Sequence, residues 1–264
     1  MLTGNRPADG GHLIIEGKDY AEFVQKEPKA TKYIKKFVGS QEFINREARY
    51  CLWLVGASPE ELAKMPLVLK RIEACREDRL ASPDAGRRKL ADTPTLFREQ
   101  LNPARFLIVP KVSSEQRRYV PIGFSDKGTI PSDLLFIVPD ATLYHFGVLT
   151  SNVHMAWMRT VCGRLKSDYR YSRDVVYNNF PWSSSTDTQL KAIEQTAKAI
   201  LDAREKYPDS SFASLYRETT MPPDLRKAHQ ANDRAVMAAY GFDTKISEAE
   251  CVARLMEMYR ELAK

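Results

Sequence analysis

The chain has 264 residues, enough for one large domain or two modest ones, of which 43% are hydrophobic and 28% charged. That balance excludes a disordered chain, and the longest apolar runs, at 50–55 and 134–138, are too short for a membrane-spanning helix. The net charge of +6 is lopsided: residues 186–264 hold 12 Lys+Arg against 13 Asp+Glu, leaving 28 against 21 in the first 185, so a polyanionic partner is expected on the first part. In chain order, Gly4-Asn5-Arg6-Pro7-Ala8-Asp9-Gly10-Gly11 reads as a turn-rich loop. Helices are expected near 20–25 and over 30–38, stopped by Gly39, and 50–55 reads as a buried strand. Ser58-Pro59-Glu60-Glu61 is a helix start, with a capping Ser, Pro at the first position and acids at the positive end. A helical pattern over 67–90 carries Arg76, Arg79, Arg87, Arg88 and Lys89, which either flank a duplex or form a solvated face. Strands are expected at 106–109, 118–122 and 134–138. Thr150-Ser151-Asn152 caps a helix over 153–162 that Gly163 ends. Past Ser183-Ser184-Ser185-Thr186 the pattern is helical at 187–206, near 212–216, at 223–240 and at 247–262, and reads as a packing bundle.

Residues 164–171, Arg-Leu-Lys-Ser-Asp-Tyr-Arg-Tyr, alternate in character. In one extended strand Arg164, Lys166, Asp168 and Arg170 would share a face, with Leu165, Ser167, Tyr169 and Tyr171 anchoring the other. A lysine suits the O6 and N7 acceptors of guanine and an aspartate the N4 donor of cytosine, so Lys166 and Asp168 could read the two halves of one G·C pair. The plainer reading is an edge strand whose charges discourage aggregation.

Catalytic signatures are missing. The segment Asn178-Asn179-Phe180-Pro181-Trp182 lacks the double proline of an adenine-methylating motif. There is no Walker loop, His-Glu-x-x-His helix or Gly-x-Ser-x-Gly elbow. His12, His145, His154 and His229 are scattered, and Cys51, Cys75, Cys162 and Cys251 form no Cys-x-x-Cys pair and read as buried thiols. The chain is expected to perform no chemistry by itself.

Five blocks then share one resemblance: Gly4-Asn5-x-Pro7-x-Asp9-Gly10-Gly11, Lys111-Val112-Ser113-Ser114-Glu115-x-Arg117-Arg118-Tyr119, His145-Phe146-Gly147-Val148-Leu149-Thr150-Ser151, Gly163-Arg164-Leu165-x-Ser167-x-Tyr169-Arg170-Tyr171-Ser172, and Val176-Tyr177-Asn178-Asn179-Phe180-Pro181-Trp182. With Met221-Pro222-Pro223-x-Leu225-Arg226-x-Ala228-His229 and Ala239-Tyr240-Gly241, they resemble the C-terminal half of MmeI-like type II restriction–modification enzymes, which carry an adenine-N6 DNA methyltransferase core. The resemblance implies an α+β fold: a linker over 1–30, a mixed α/β DNA target-recognition domain over 31–185, and an α-helical bundle over 186–264. It implies that Lys166 and Asp168 choose one base pair as a coupled pair, and that Arg170 chooses another with a position near Leu134. Arg164, Ser113, Ser114, Arg117 and Arg118 are expected on the DNA backbone, although Arg117 has Glu115 as an alternative partner. The expected partners are double-stranded DNA and a methyltransferase core, in cis or in trans. No metal or cofactor is expected in this chain, S-adenosylmethionine and Mg²⁺ belonging to a catalytic part that would precede Gly4. The expected setting is cytoplasmic, with no membrane contact. The alternative is an interaction scaffold that docks a separate methyltransferase without reading bases.

Overall fold

Four short apolar runs, around Ile14, Phe37, Cys51 and Ile130, are too brief to be stable alone and find their hydrogen bonds in one another. The computed structural model describes residues 1–264. Ile14–Glu16 pairs antiparallel with Arg49–Leu52, which pairs antiparallel with Ile34–Val38. The free edge of Ile34–Val38 takes Thr129–Pro131 in parallel, Phe37 opposite Ile130. Leu13, Ile15, Phe23, Trp53 and Phe97 fill the core beside this sheet. The elements belong to one compact unit, Thr3–Ala104 with Ser125–Leu135.

Several expectations change in this unit. Residues 30–38 are not a helix: a 3₁₀ turn, Pro28–Tyr33, leads into the strand Ile34–Val38. Ile34, Phe37 and Val38 suit a pleated surface with partners on both edges, which outweighs a weak helical pattern. The first 30 residues are not a linker, since they supply a strand and the helix Tyr20–Lys26 and bury Leu13 and Ile15 completely. The pattern over 67–90 divides into Pro66–Leu80 and Ala85–Lys89. Pro83 has no N–H to continue the ladder, and Asp84 recaps the chain by accepting from Gly86 N at 2.7 Å. Arg79, a candidate surface cation, is 0% exposed and donates to the carbonyls of Pro7, Ala8, Leu90, Thr93 and Leu96 at 2.8–3.0 Å. Arg76 and Arg87 pair with Glu73 and Asp78.

The other unit is Met1–Leu2, Arg105–Phe124 and Phe136–Lys264. Its strands Arg105–Pro110 and Leu135–Pro139 lie side by side and are almost wholly buried. No strand forms over 118–122. Pro121 has no donor, and Val120 N donates to Met155 Sδ at 3.4 Å, so this apolar stretch is buried without a ladder. The helix Asn152–Val161 is capped by Ser151, whose hydroxyl accepts from His154 N. Beyond residue 186 come Asp187–Glu205, Pro223–Ala239 and Glu248–Leu262. Asp187–Glu205 crosses Leu143–Leu149 so closely that a Cβ on Gly147 would stand 2.7 Å from Ile193 Cγ2. Ile193, Ala197, Ile200 and Val236 share one core with Phe146, Val153 and Trp157. Residues 183–186 therefore mark where the chain turns helical, while the hydrophobic core runs across them. The fold is α+β.

Candidate nucleic-acid interface

Alternation over eight residues has two backbone solutions, one straight strand or two short strands folded on each other. The chain takes the second. Gly163–Leu165 and Asp168–Arg170 form an antiparallel hairpin with Gly163 opposite Arg170, Arg164 opposite Tyr169 and Leu165 opposite Asp168. Lys166 and Ser167 make the turn, Lys166 at a φ of 56°. Asp168–Arg170 also pairs with Val112–Ser113, Tyr169 opposite Ser113 and Arg170 opposite Val112. Opposed residues of an antiparallel pair share a face. One face thus carries Arg164, Tyr169 and Ser113, and the other Gly163, Leu165, Asp168, Arg170 and Val112. The expected single row of Arg164, Lys166, Asp168 and Arg170 does not form, because the two-residue turn shifts the alternation between its arms.

Tyr169 and Tyr171 anchor the inner side as expected, both buried. The Tyr171 hydroxyl lies 2.9 Å from His154 Nε2, and burial holds the His154 imidazole down to about 3. Arg164 stacks its guanidinium 4.1 Å from the Tyr169 ring centre and donates to Ser167 O at 2.8 Å, so it braces the hairpin. Leu165 and Ser167, expected as anchors, are exposed, Leu165 by 52%. On the outer side Arg170 is exposed, and Lys166 is exposed at the tip. Asp168 is half-buried and accepts a long hydrogen bond from Glu115 N at 3.4 Å.

The preceding loop distributes its polar groups unevenly. Ser113 is buried on the Tyr169 side and its hydroxyl has no partner, so it cannot meet a phosphate as expected. Ser114 shapes the loop, its hydroxyl accepting from Gln116 N at 3.3 Å and its carbonyl from Arg117 N at 3.1 Å. Arg117 is half-buried, and desolvation lowers its pKa against the opposing pull of Asp168. Glu115 is not its partner; that carboxylate lies 3.8 Å from Arg164. Arg118 is exposed, with its guanidinium 5.7 Å from the Tyr119 ring centre. A cleft of about 520 Å³ opens here, lined among others by Glu115, Arg117, Arg118, Asn152, Arg159 and Glu248. No sequence pattern announces this cleft, because its walls come from segments more than a hundred residues apart.

The loop is held from beneath by buried polar contacts. Asp233 accepts from Tyr119 OH at 2.6 Å and from Asn152 N at 2.8 Å. Arg204 donates to Ile122 O and to Tyr216 OH, both at 2.6 Å, and Tyr216 OH lies 2.8 Å from His229 Nε2. Residues 105–124 and 136–185 carry nine Lys+Arg against four Asp+Glu, so most of the basic excess of the first 185 residues lies in these segments. Leu134 belongs to the other unit. It is exposed and precedes the strand Leu135–Pro139, donating from N to Ser132 Oγ at 3.2 Å and accepting at O from Ser40 Oγ at 2.8 Å. No group of three or more His, Cys, Asp or Glu side chains could hold a metal ion, and no helix is long and apolar enough to cross a membrane.

Fold and site together define an α+β protein whose charged hairpin is carried on a core completed by C-terminal helices. Residues 1–184 match the target recognition domain of MmeI and residues 185–264 the MmeI C-terminal domain, and the chain belongs to the MmeI family. It is 40% identical over 262 residues to DNA methyltransferase A of Bacillus subtilis (strain 168), covering 99% of this chain and 30% of that protein. It is 44% identical to the Type IIL restriction–modification enzyme MmeI solved in complex with DNA, with a TM-score of 0.96 over 99% of this chain and 35% of that one. The chain thus spans about a third of the length of either relative.

Proposed function

We propose that this chain is the sequence-reading part of an MmeI-like type II restriction–modification adenine-N6 DNA methyltransferase. It acts on double-stranded DNA beside a catalytic core in the same or a separate polypeptide. The observation that carries this reading is the hairpin, with Lys166 at its tip and Asp168 and Arg170 on its outer face. A two-stranded ribbon fits the major groove, about 12 Å wide, where each base pair shows a distinct donor and acceptor pattern. Lys166 donates to guanine O6/N7, Asp168 accepts from cytosine N4, and Arg170 reads a further pair, while Leu134 is a separate candidate for base readout. Ser114, Arg117, Arg118 and Arg164 hold phosphates, which sets register without reading sequence. S-adenosylmethionine and Mg²⁺ belong to the core, and this chain holds neither. The DNA-bound relative, at 44% identity, supports the partner.

The test exchanges the charges of the pair. Lys166→Glu with Asp168→Arg should keep the fold and change the preferred base pair in a randomised-duplex selection. Selection of the wild-type site by the double variant defeats the assignment. Undetectable or salt-insensitive DNA binding, with tight binding to a methyltransferase core, favours a docking scaffold instead.

A further inference from the structure

We propose that Leu165 is a further specificity residue, one that recognises the 5-methyl group of a pyrimidine in the major groove. The inference rests on the DNA-reading assignment above and adds to it a different chemistry. Leu165 directly opposes Asp168 across the hairpin, so the two side chains stand on one face, and Arg170 lies on that face two pairs further along. Directly opposed side chains have Cβ atoms about 4.5–5.5 Å apart, little more than the roughly 3.4 Å between neighbouring base pairs. Any approach that brings Asp168 to a cytosine amino group therefore brings Leu165 to the same base pair or the next.

A single exposed leucine is ordinary on a protein surface. This one stands 52% exposed on the charged outer face, while the tyrosines of the same ribbon are buried. Gly163, which opposes Arg170 on that face, has nothing within 4 Å of where a Cβ would stand, so the surface beside Leu165 is open to an incoming partner. Leucine has no donor or acceptor. The one apolar group that unmodified DNA presents in its major groove is the thymine methyl. Thymine and 5-methylcytosine carry the same group at the same ring position, so both are sources of the contact, and the experiment separates them.

The full chain and its Leu165→Ala and Leu165→Gln variants are titrated with the duplex that wild type selects from a random pool. Companion duplexes carry deoxyuridine at each thymine in turn, or 5-methylcytosine at each cytosine in turn. Wild type should bind about three- to fourfold more weakly when one particular thymine is stripped of its methyl, the worth of one buried methylene-sized group. Both variants should bind the thymine and deoxyuridine duplexes equally while keeping the far-UV spectrum of wild type. Tighter binding of wild type to one 5-methylcytosine duplex, with no effect of deoxyuridine and no such tightening in the variants, assigns the contact to methylated cytosine. Methyl sensitivity that persists in both variants overturns the proposal, as does a wild type that selects a site yet responds to no methyl. A wild type that selects no site overturns the DNA-reading assignment itself.

Discussion

Arg79 and Arg117 carry the same guanidinium into opposite surroundings, and the difference separates structure from recognition. Arg79 gives every one of its five N–H groups to a carbonyl of its own unit. Arg117, half-buried at the cleft, feels Asp168 and Arg217 but takes no ion pair, so its donors stay available to an anion. A desolvated cation without a counter-ion is costly, and an incoming phosphate relieves that cost. Arg117→Gln should therefore weaken duplex binding by similar factors on all sequences. It should also lower the slope of log K against log salt by about 1, because one phosphate is no longer neutralised. Titrations of matched and mismatched duplexes at several salt concentrations check this. An unchanged slope removes Arg117 from the backbone-binding set.

Arg79 matters at the scale of elements, because its five acceptors lie on the opening loop and on the turns after Ala85–Lys89. Lysine has three donors on one atom and cannot serve five carbonyls. Arg79→Lys should cost about 3 kcal/mol or more, since each buried acceptor left unpaired costs about 1–3 kcal/mol. A urea midpoint that moves while the m-value holds would show it, and an unmoved midpoint would mean that the carbonyls find other donors. The same elements show what was legible in the sequence. The Ser58 cap and the helix start at Ser151-Asn152 stand where their residue types placed them, because capping is local chemistry. Tyr169 and Tyr171 were legible as anchors for the same reason, being large amphipathic groups at alternate positions. The hairpin was not, since Lys166-Ser167 has no Gly, Asn or Pro to announce a turn, and the alternation on either side mimics one strand. Ile34–Val38 was missed because the pairing that decides it, with Arg49–Leu52 on one edge and the distant Thr129–Pro131 on the other, leaves no mark in its own residues.

For the molecule as a whole, the buried histidines tie stability to pH. His154 is desolvated beside Tyr171 and Phe180, with its imidazole held down to about 3. His229 is lowered well below 6.5, first by burial and then by the charges of Arg204 and Arg118. Each ring is harder to protonate folded than unfolded, so below the ordinary value near 6.5 the unfolded chain binds more protons. The stability these rings confer is complete above that value and falls as pH drops through it, with a slope of up to about 1.4 kcal/mol per pH unit for each histidine. Asp233 acts in the opposite sense, because burial raises its carboxyl above 3.8, and it offsets part of the decline at the acidic end. The urea midpoint of wild type should therefore fall between pH 7 and pH 5. In His154→Gln, where an amide still reaches the Tyr171 hydroxyl but no longer titrates, the midpoint should start lower at pH 7 and fall less over the same interval. Parallel declines in the two proteins would show that His154 is not a source of the acid sensitivity.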